Sequence, residues 1–204
     1  MIRGPARPND VTPTHLLYLH GFRSSPLSTK ARVLQRWMAL NTPAVVWHCP
    51  QLAVSPATAI RDTFSHIDAW PHDTTAIVGS SLGGYYATVL AERLGCRCVL
   101  LNPAIEPARD LQKYIGEITA WRSDARMFFR AEFVNELLAL RPPAITLPER
   151  YLAVIAKGDE LLDWREMVAR YAQCKINLLE GSDHALSDFE LHLPDIAAFL
   201  GLEA

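Results

Sequence analysis

The chain has 204 residues, half of them apolar and 21% charged. That composition excludes a disordered acidic or basic tail protein and fits one compact domain with a sizeable core. With 20 Lys and Arg against 22 Asp and Glu the formal charge is −2, so no basic field exists to hold a phosphate backbone and nucleic acid is not an expected partner.

Met1 to Pro13 carries Pro5, Pro8 and Pro13 but no apolar signal-peptide core. Residues 1–14 are therefore expected to form a flexible leader, residues 15–204 a single domain, and the cytoplasm is the expected compartment. No apolar run approaches the roughly 18 to 20 residues that a membrane span requires. The four cysteines, Cys49, Cys96, Cys98 and Cys174, have neither CxxC nor zinc-site spacing and read as reduced structural thiols.

His15–Leu19 is a short apolar run that ends at His20-Gly21 and predicts a buried strand feeding a loop. From Ser28, a candidate N-cap, Ala31, Leu34, Trp37 and Met38 follow helical spacing to about Leu40. Residues 44–47 predict a strand, 57–69 a helix, and 75–78 a strand that stops at Gly79. Leu82–Leu94 reads as a helix that is apolar on most sides, hence central, and Arg97–Leu101 as a strand. The texture then changes over residues 105–146, where short helical pieces carrying Tyr114, Trp121, Phe128, Phe129 and Phe133 suggest an inserted cap. Tyr151–Ala156 predicts a strand, 162–171 a helix and Lys175–Leu179 the last strand. Ser187 and Glu190 match a capping box, and Pro194 is expected at the first position of a restarted C-terminal helix.

Alternating strands and helices predict an α/β fold: a mostly parallel sheet of about six strands with helices on both faces. Ligands in such sheets bind beyond the carboxyl ends of the strands, so the chemistry should lie in the loops after them. Gly79-Ser80-Ser81-Leu82-Gly83 fits G-x-S-x-G between a predicted strand and helix, which makes Ser81 the candidate nucleophile. Ser80 fails the spacing because Val78 stands two positions before it. A serine hydroxyl needs a neighbouring base, and His184, on the loop after the last strand, is the candidate. Asp159 follows the strand Tyr151–Ala156 and is the candidate acid to orient the imidazole, with Asp163 as a rival. Oxyanion donors in this architecture would be the backbone amides of Leu82 and Phe22. His20 is a candidate for bracing the loop or lining the pocket, and Trp121 and Phe128 are candidate pocket residues. No P-loop, dinucleotide turn or H-E-x-x-H is present, so neither a cofactor nor a metal is expected.

The segments Leu19-His20-Gly21-Phe22-Arg23-Ser24-Ser25-Pro26 with Ser28 and Lys30-Ala31, Gly79 to Gly84, Asn102-Pro103-Ala104, Pro148-Glu149-Arg150-Tyr151, Gly158 to Asp163 and Gly181 to Phe189 make the chain resemble the α/β-hydrolases, and specifically the small YqiA-type esterases, over about residues 15–200. The resemblance implies a compact serine hydrolase with few strands before the elbow, acting on carboxylic esters, acyl thioesters included. The N-terminal leader and the cap at 105–146 depart from that pattern. Three readings follow. The first is an esterase for short acyl chains; the second is a thioesterase with the same triad, for which Arg23, Arg109 or Arg122 would meet phosphates; the third is a hydrolase fold that only binds a small ligand.

Overall fold

The structure, a computed structural model, describes residues 11–120, 125–142 and 144–202. It opens with β1 (His15–Leu19), α1 (Thr29–Asn41), β2 (Val46–His48), α2 (Pro56–Ile67), β3 (Thr75–Ser80), α3 (Leu82–Leu94) and β4 (Arg97–Leu101). An insertion follows with α4 (Pro107–Leu111), β5 (Gly116–Thr119), β6 (Arg126–Phe129) and α5 (Ala131–Ala139). The chain then returns to the sheet through β7 (Tyr151–Ala156), α6 (Trp164–Arg170), β8 (Lys175–Leu179) and α7 (Phe189–Leu200).

Six strands form one sheet in the order β2-β1-β3-β4-β7-β8, and each neighbouring pair is parallel. The central strands are apolar at consecutive positions because side chains alternate between two covered faces. On one face Tyr18, Val78, Val99 and Val154 pack under α1 and α7, through Leu34, Met38, Ile196 and Leu200. On the other Leu17, Ile77, Leu100 and Ile155 pack under α2 and α3, through Ile60, Ile67, Tyr86 and Leu90. Cys96 and Cys98 face this second layer together, and all four cysteines are free thiols. The parallel sheet with helices on both faces is the predicted architecture. Among the described residues no helix is long and apolar enough to cross a membrane.

Residues 11–14 run along the base of the sheet. The Arg97 guanidinium donates to the Val11 carbonyl, and the Thr14 amide donates to Thr74 O at 2.8 Å. The expected flexible leader otherwise falls on residues 1–10, outside the described residues.

Three local expectations are corrected. Short helical pieces are expected to carry the aromatics of the insertion, and Tyr114 and Phe133 do lie in helical turns, but Phe128 and Phe129 lie in β6, which pairs antiparallel with β5, Gly116 opposite Phe129 and Thr119 opposite Arg126. Four-residue strands carry too few alternations to stand out from a helical pattern. The helix expected over 162–171 begins only at Trp164, because the Asp163 carboxylate accepts the Arg165 amide and caps it there. The C-terminal helix does not restart at Pro194. It runs from Phe189 with the proline inside it and without a side-chain cap, while Ser187 Oγ donates to Asp183 at 2.6 Å. Burial of Leu193, Ile196, Ala197 and Leu200 holds α7 on the sheet against the local preference of the proline.

An exposed proline inside a helix removes one backbone hydrogen bond and crowds the preceding turn, at a cost of about 3 kcal/mol, whereas it also stiffens the unfolded chain by up to about 1 kcal/mol. Pro194 is exposed, so Pro194→Ala should raise the unfolding free energy by about 1 to 2 kcal/mol. Urea denaturation should show a higher midpoint with an unchanged slope. A lower midpoint would mean that the proline serves the fold.

Candidate active site

The loops after β1, β3, β4, β7 and β8 all leave the carboxyl edge of the sheet. After β3 the chain reverses into α3 at Ser81, whose φ of 55° and ψ of −121° lie in a region that non-glycine residues rarely adopt. This turn is held from both sides, since the Ser81 amide donates to Leu101 O and the Ala104 amide to Ser81 O, each at 3.0 Å. Only small residues fit around it. A Cβ on Gly79 would stand 2.3 Å from the Gly83 carbonyl oxygen, and one on Gly83 would stand 2.1 Å from that of Leu19. The Leu82 amide opens α3, where the first N–H groups of a helix have no partner within it.

His184 arrives from the loop after β8. Its Nε2 is 3.1 Å from Ser81 Oγ, and its Nδ1 is 2.8 Å from Asp159 Oδ2. The Asp159 side chain is fully buried and that of His184 is 17% exposed. A buried carboxylate must be surrounded by donors, and the other oxygen of Asp159 accepts the Leu161 and Leu162 amides at 2.9 and 2.8 Å. The two loops meet at Gly158, where a Cβ would fall 2.2 Å from Ser182 O. Asp163, the rival acid, is occupied in capping α6. Asp183 turns its carboxylate to the Ser187 amide and hydroxyl.

The His184 loop is braced by residues to which the sequence reading assigned no role. Glu160 Oε2 accepts the His184 amide at 2.9 Å. Lys30 Nζ donates to Ala185 O at 2.6 Å, and Asn102 reaches the same loop from β4. These contacts join residues 24 to 155 positions apart, so no local spacing could signal them.

Of the other candidates, Phe22 follows Gly21 beside Ser81, and its ring packs on Phe129 and Tyr114 with centroids 5.4 and 5.5 Å away. His20 is buried: Nδ1 lies 3.0 Å from Gly21 O, and Nε2 accepts the Leu52 amide at 3.1 Å. Next to them a small cleft of about 30 Å³ is lined by His20, Phe22, Leu52, Leu82, Tyr86 and Met127 among others. Phe128 is not among its lining residues. Alternation along β6 turns Met127 and Phe129 inward and leaves Phe128 59% exposed, so Met127 takes the place expected of it. Trp121 and Arg122 lie outside the described residues. Among the described residues no group of three or more His, Cys, Asp and Glu could hold a metal ion.

The architecture and this edge define an α/β-hydrolase fold. The structure is similar to that of a protein from Agrobacterium vitis S4, with a TM-score of 0.72 and 17% identity over 93% of this chain and 91% of that one. It is similar to Est1E from Butyrivibrio proteoclasticus, described with bound ferulic acid, with a TM-score of 0.67 and 16% identity over 92% and 87%. Alpha/beta hydrolase domain-containing protein 10 from mouse follows with a TM-score of 0.66 and 15% identity over 89% and 88%. Within this fold the chain belongs to the uncharacterised protein family UPF0227, whose model matches residues 15–201.

Burial holds the His20 imidazole below its ordinary value of 6.5. A histidine whose folded value is lowered resists a proton that the unfolded chain accepts, so its stabilising contribution is present at neutral pH and lost as pH falls below 6.5. His48, held down by burial and by its neighbour His66, acts in the same direction. Melting temperature should therefore drop between about pH 7.5 and about pH 5, and the drop should be shallower in His20→Gln, which keeps an acceptor for Leu52. An equal slope in the variant would show that His20 takes no part.

Proposed function

We propose that the protein is a serine esterase that hydrolyses carboxylic esters of short acyl chains through an acyl-enzyme. The observation that carries this reading is the unbroken line from Ser81 Oγ through His184 to Asp159, with steps of 3.1 and 2.8 Å. Ser81 Oγ attacks the ester carbonyl while its proton passes to His184 Nε2. Asp159 holds the Nδ1 proton and stabilises the imidazolium that forms. The negative oxygen of the tetrahedral intermediate is received by the Phe22 and Leu82 amides, the latter at the positive end of α3. Collapse breaks the bond to the alkoxide, which takes the proton from His184. Water, deprotonated by the same imidazole, then releases the acid and regenerates Ser81. The scheme uses no cofactor.

The cleft beside the proposed oxyanion donors is small, about 30 Å³, and Phe22, Leu52, Leu82, Tyr86 and Met127 line it together with the polar Arg23, Ser24 and Gln51, which supports a short acyl group over a long one. A thioester carrying phosphates would need free cations at the mouth. Of the cations considered for that role, Arg109 is committed to Glu166 and Asp110, each at 2.8 Å, whereas Arg23 lines the cleft with its Nε donating to Thr119 O, so a thioester stands as the second reading.

Nitrophenyl esters of graded acyl length should be turned over with acetyl and propionyl ahead of longer chains. Ser81→Ala should lose on the order of 10³-fold or more while still folding, and a fluorophosphonate should label wild type but not the variant. Activity within tenfold of wild type would remove Ser81 as the nucleophile.

Asp159 and Asp163 separate by different readouts. Asp159→Asn leaves the imidazole in the wrong tautomer and should cost about 10⁴-fold in kcat. Asp163→Asn keeps a capping residue and should leave kcat close to wild type, whereas Asp163→Ala should lower stability by about 1 kcal/mol through the lost cap. A greater loss of kcat at Asp163 than at Asp159 would transfer the role of the acid.

A further inference from the structure

Asn102 stands directly after β4 with no exposed surface. Its φ of 42° places it in the left-handed region, which asparagine tolerates better than most side chains. That backbone turn brings the carboxamide back across the end of the sheet. Oδ1 accepts the Ala156 amide at 2.8 Å, and Nδ2 donates to the carbonyls of Asp183 at 2.9 Å and His184 at 3.3 Å. Its own amide donates to Val154 O at 3.0 Å.

These partners carry different parts of the proposed triad. Ala156 ends β7, three residues before Asp159. Asp183 and His184 belong to the loop that delivers the imidazole. On either side of Asn102, Leu101 and Ala104 hold the backbone of Ser81, through Ser81 N to Leu101 O and Ala104 N to Ser81 O. One buried side chain thus joins the two segments that bear Asp159 and His184, and the backbone on either side of it holds Ser81. A carboxamide suits the place because it offers an acceptor and two donors at once. A carboxylate would turn an oxygen toward two carbonyls, and leucine would leave all three partners unpaired in a buried setting.

We infer that Asn102 is a positioning residue for the proposed hydrolysis: its carboxamide fixes the His184 loop against the strand that leads to Asp159, and so sets the approach of the imidazole to both Asp159 and Ser81. The inference rests on the esterase reading for its kinetic consequence but not for its structural one. A shift of about 1 Å in a reacting group can cost on the order of 10²-fold in rate.

Two variants test it. Asn102→Asp keeps the acceptor for Ala156 and loses the donors to the loop; Asn102→Gly accepts the left-handed backbone and removes the carboxamide. Both should lower kcat for a nitrophenyl ester on the order of 10²-fold with KM within about threefold, at a temperature where melting curves show the variants folded. The proton shared by His184 Nδ1 and Asp159 should give a low-field NMR resonance in wild type and be lost or displaced in both variants. Folded variants with kcat within threefold of wild type and an unmoved resonance would overturn the proposal. Failure of both variants to fold would also overturn it, by making Asn102 a residue of the fold alone. If wild type neither cleaves esters nor reacts with a fluorophosphonate, the esterase reading fails; the resonance, which needs no substrate, still decides whether Asn102 sets His184.

Discussion

The approach of α3 to the ends of β1 and β3 is a contact of backbone against backbone. Gly83 lies so close to the Leu19 and His20 carbonyls that a Cβ would stand 2.1 and 2.6 Å from them, closer than any real contact. Because α3 can sit there, the chain turns from β3 into the helix within one residue, and Ser81 is thrust above the sheet with φ at 55°. The same closeness sets Gly21 beside Ser81, where a Cβ would be 3.2 Å from that of the serine. The strained φ at Ser81 is sustained by what surrounds it: fully buried strands on both sides and hydrogen bonds that fix its amide and its carbonyl.

The parts legible in the sequence share one property: their signal is local. The central strands are bounded by their own apolar runs, and α3 by the turn before it and its own apolar residues. The elbow is visible because steric demand falls on residues two positions from Ser81. The order Ser81, Asp159, His184 is readable because each follows a strand, and strand ends of a parallel sheet share one edge. Asp163 illustrates the boundary of that reasoning. As a carboxylate near a strand end it matches Asp159 in type, and only the position of the first turn of α6 separates a cap from a partner of His184.

What escaped the sequence depends on contacts between distant segments. Asn102, Glu160 and Lys30 reach the His184 loop over 82, 24 and 155 residues respectively, and nothing at those positions carries a periodicity. The hairpin of β5 and β6 escaped because its strands are four residues each, and its register decides which of Met127 and Phe128 faces inward. The proline in α7 escaped for the opposite reason: a strong local signal was overridden by burial of the helix face around it.

The insertion between β4 and β7 has an effect that its aromatic content does not reveal. Phe129 is buried and meets Phe22 edge-on at 5.4 Å and Phe133 at 5.6 Å, while Tyr114 packs on Phe22 from another side. The aromatic residues therefore hold Phe22 before they meet anything bound at the cleft. The turn is tied further by Arg23, whose guanidinium donates to the Thr119 carbonyl of β5. Within the proposed mechanism the Phe22 amide must stand in place before the oxyanion forms, since a donor that has to move gives up part of its stabilisation to reorganisation. Rings packed at 5 to 6 Å separations resist such motion, because displacing one opens a gap against several others. In that proposed mechanism the insertion would be coupled to the chemistry through the backbone of Phe22, and an influence on rate would not require that any of its side chains touch the acyl group.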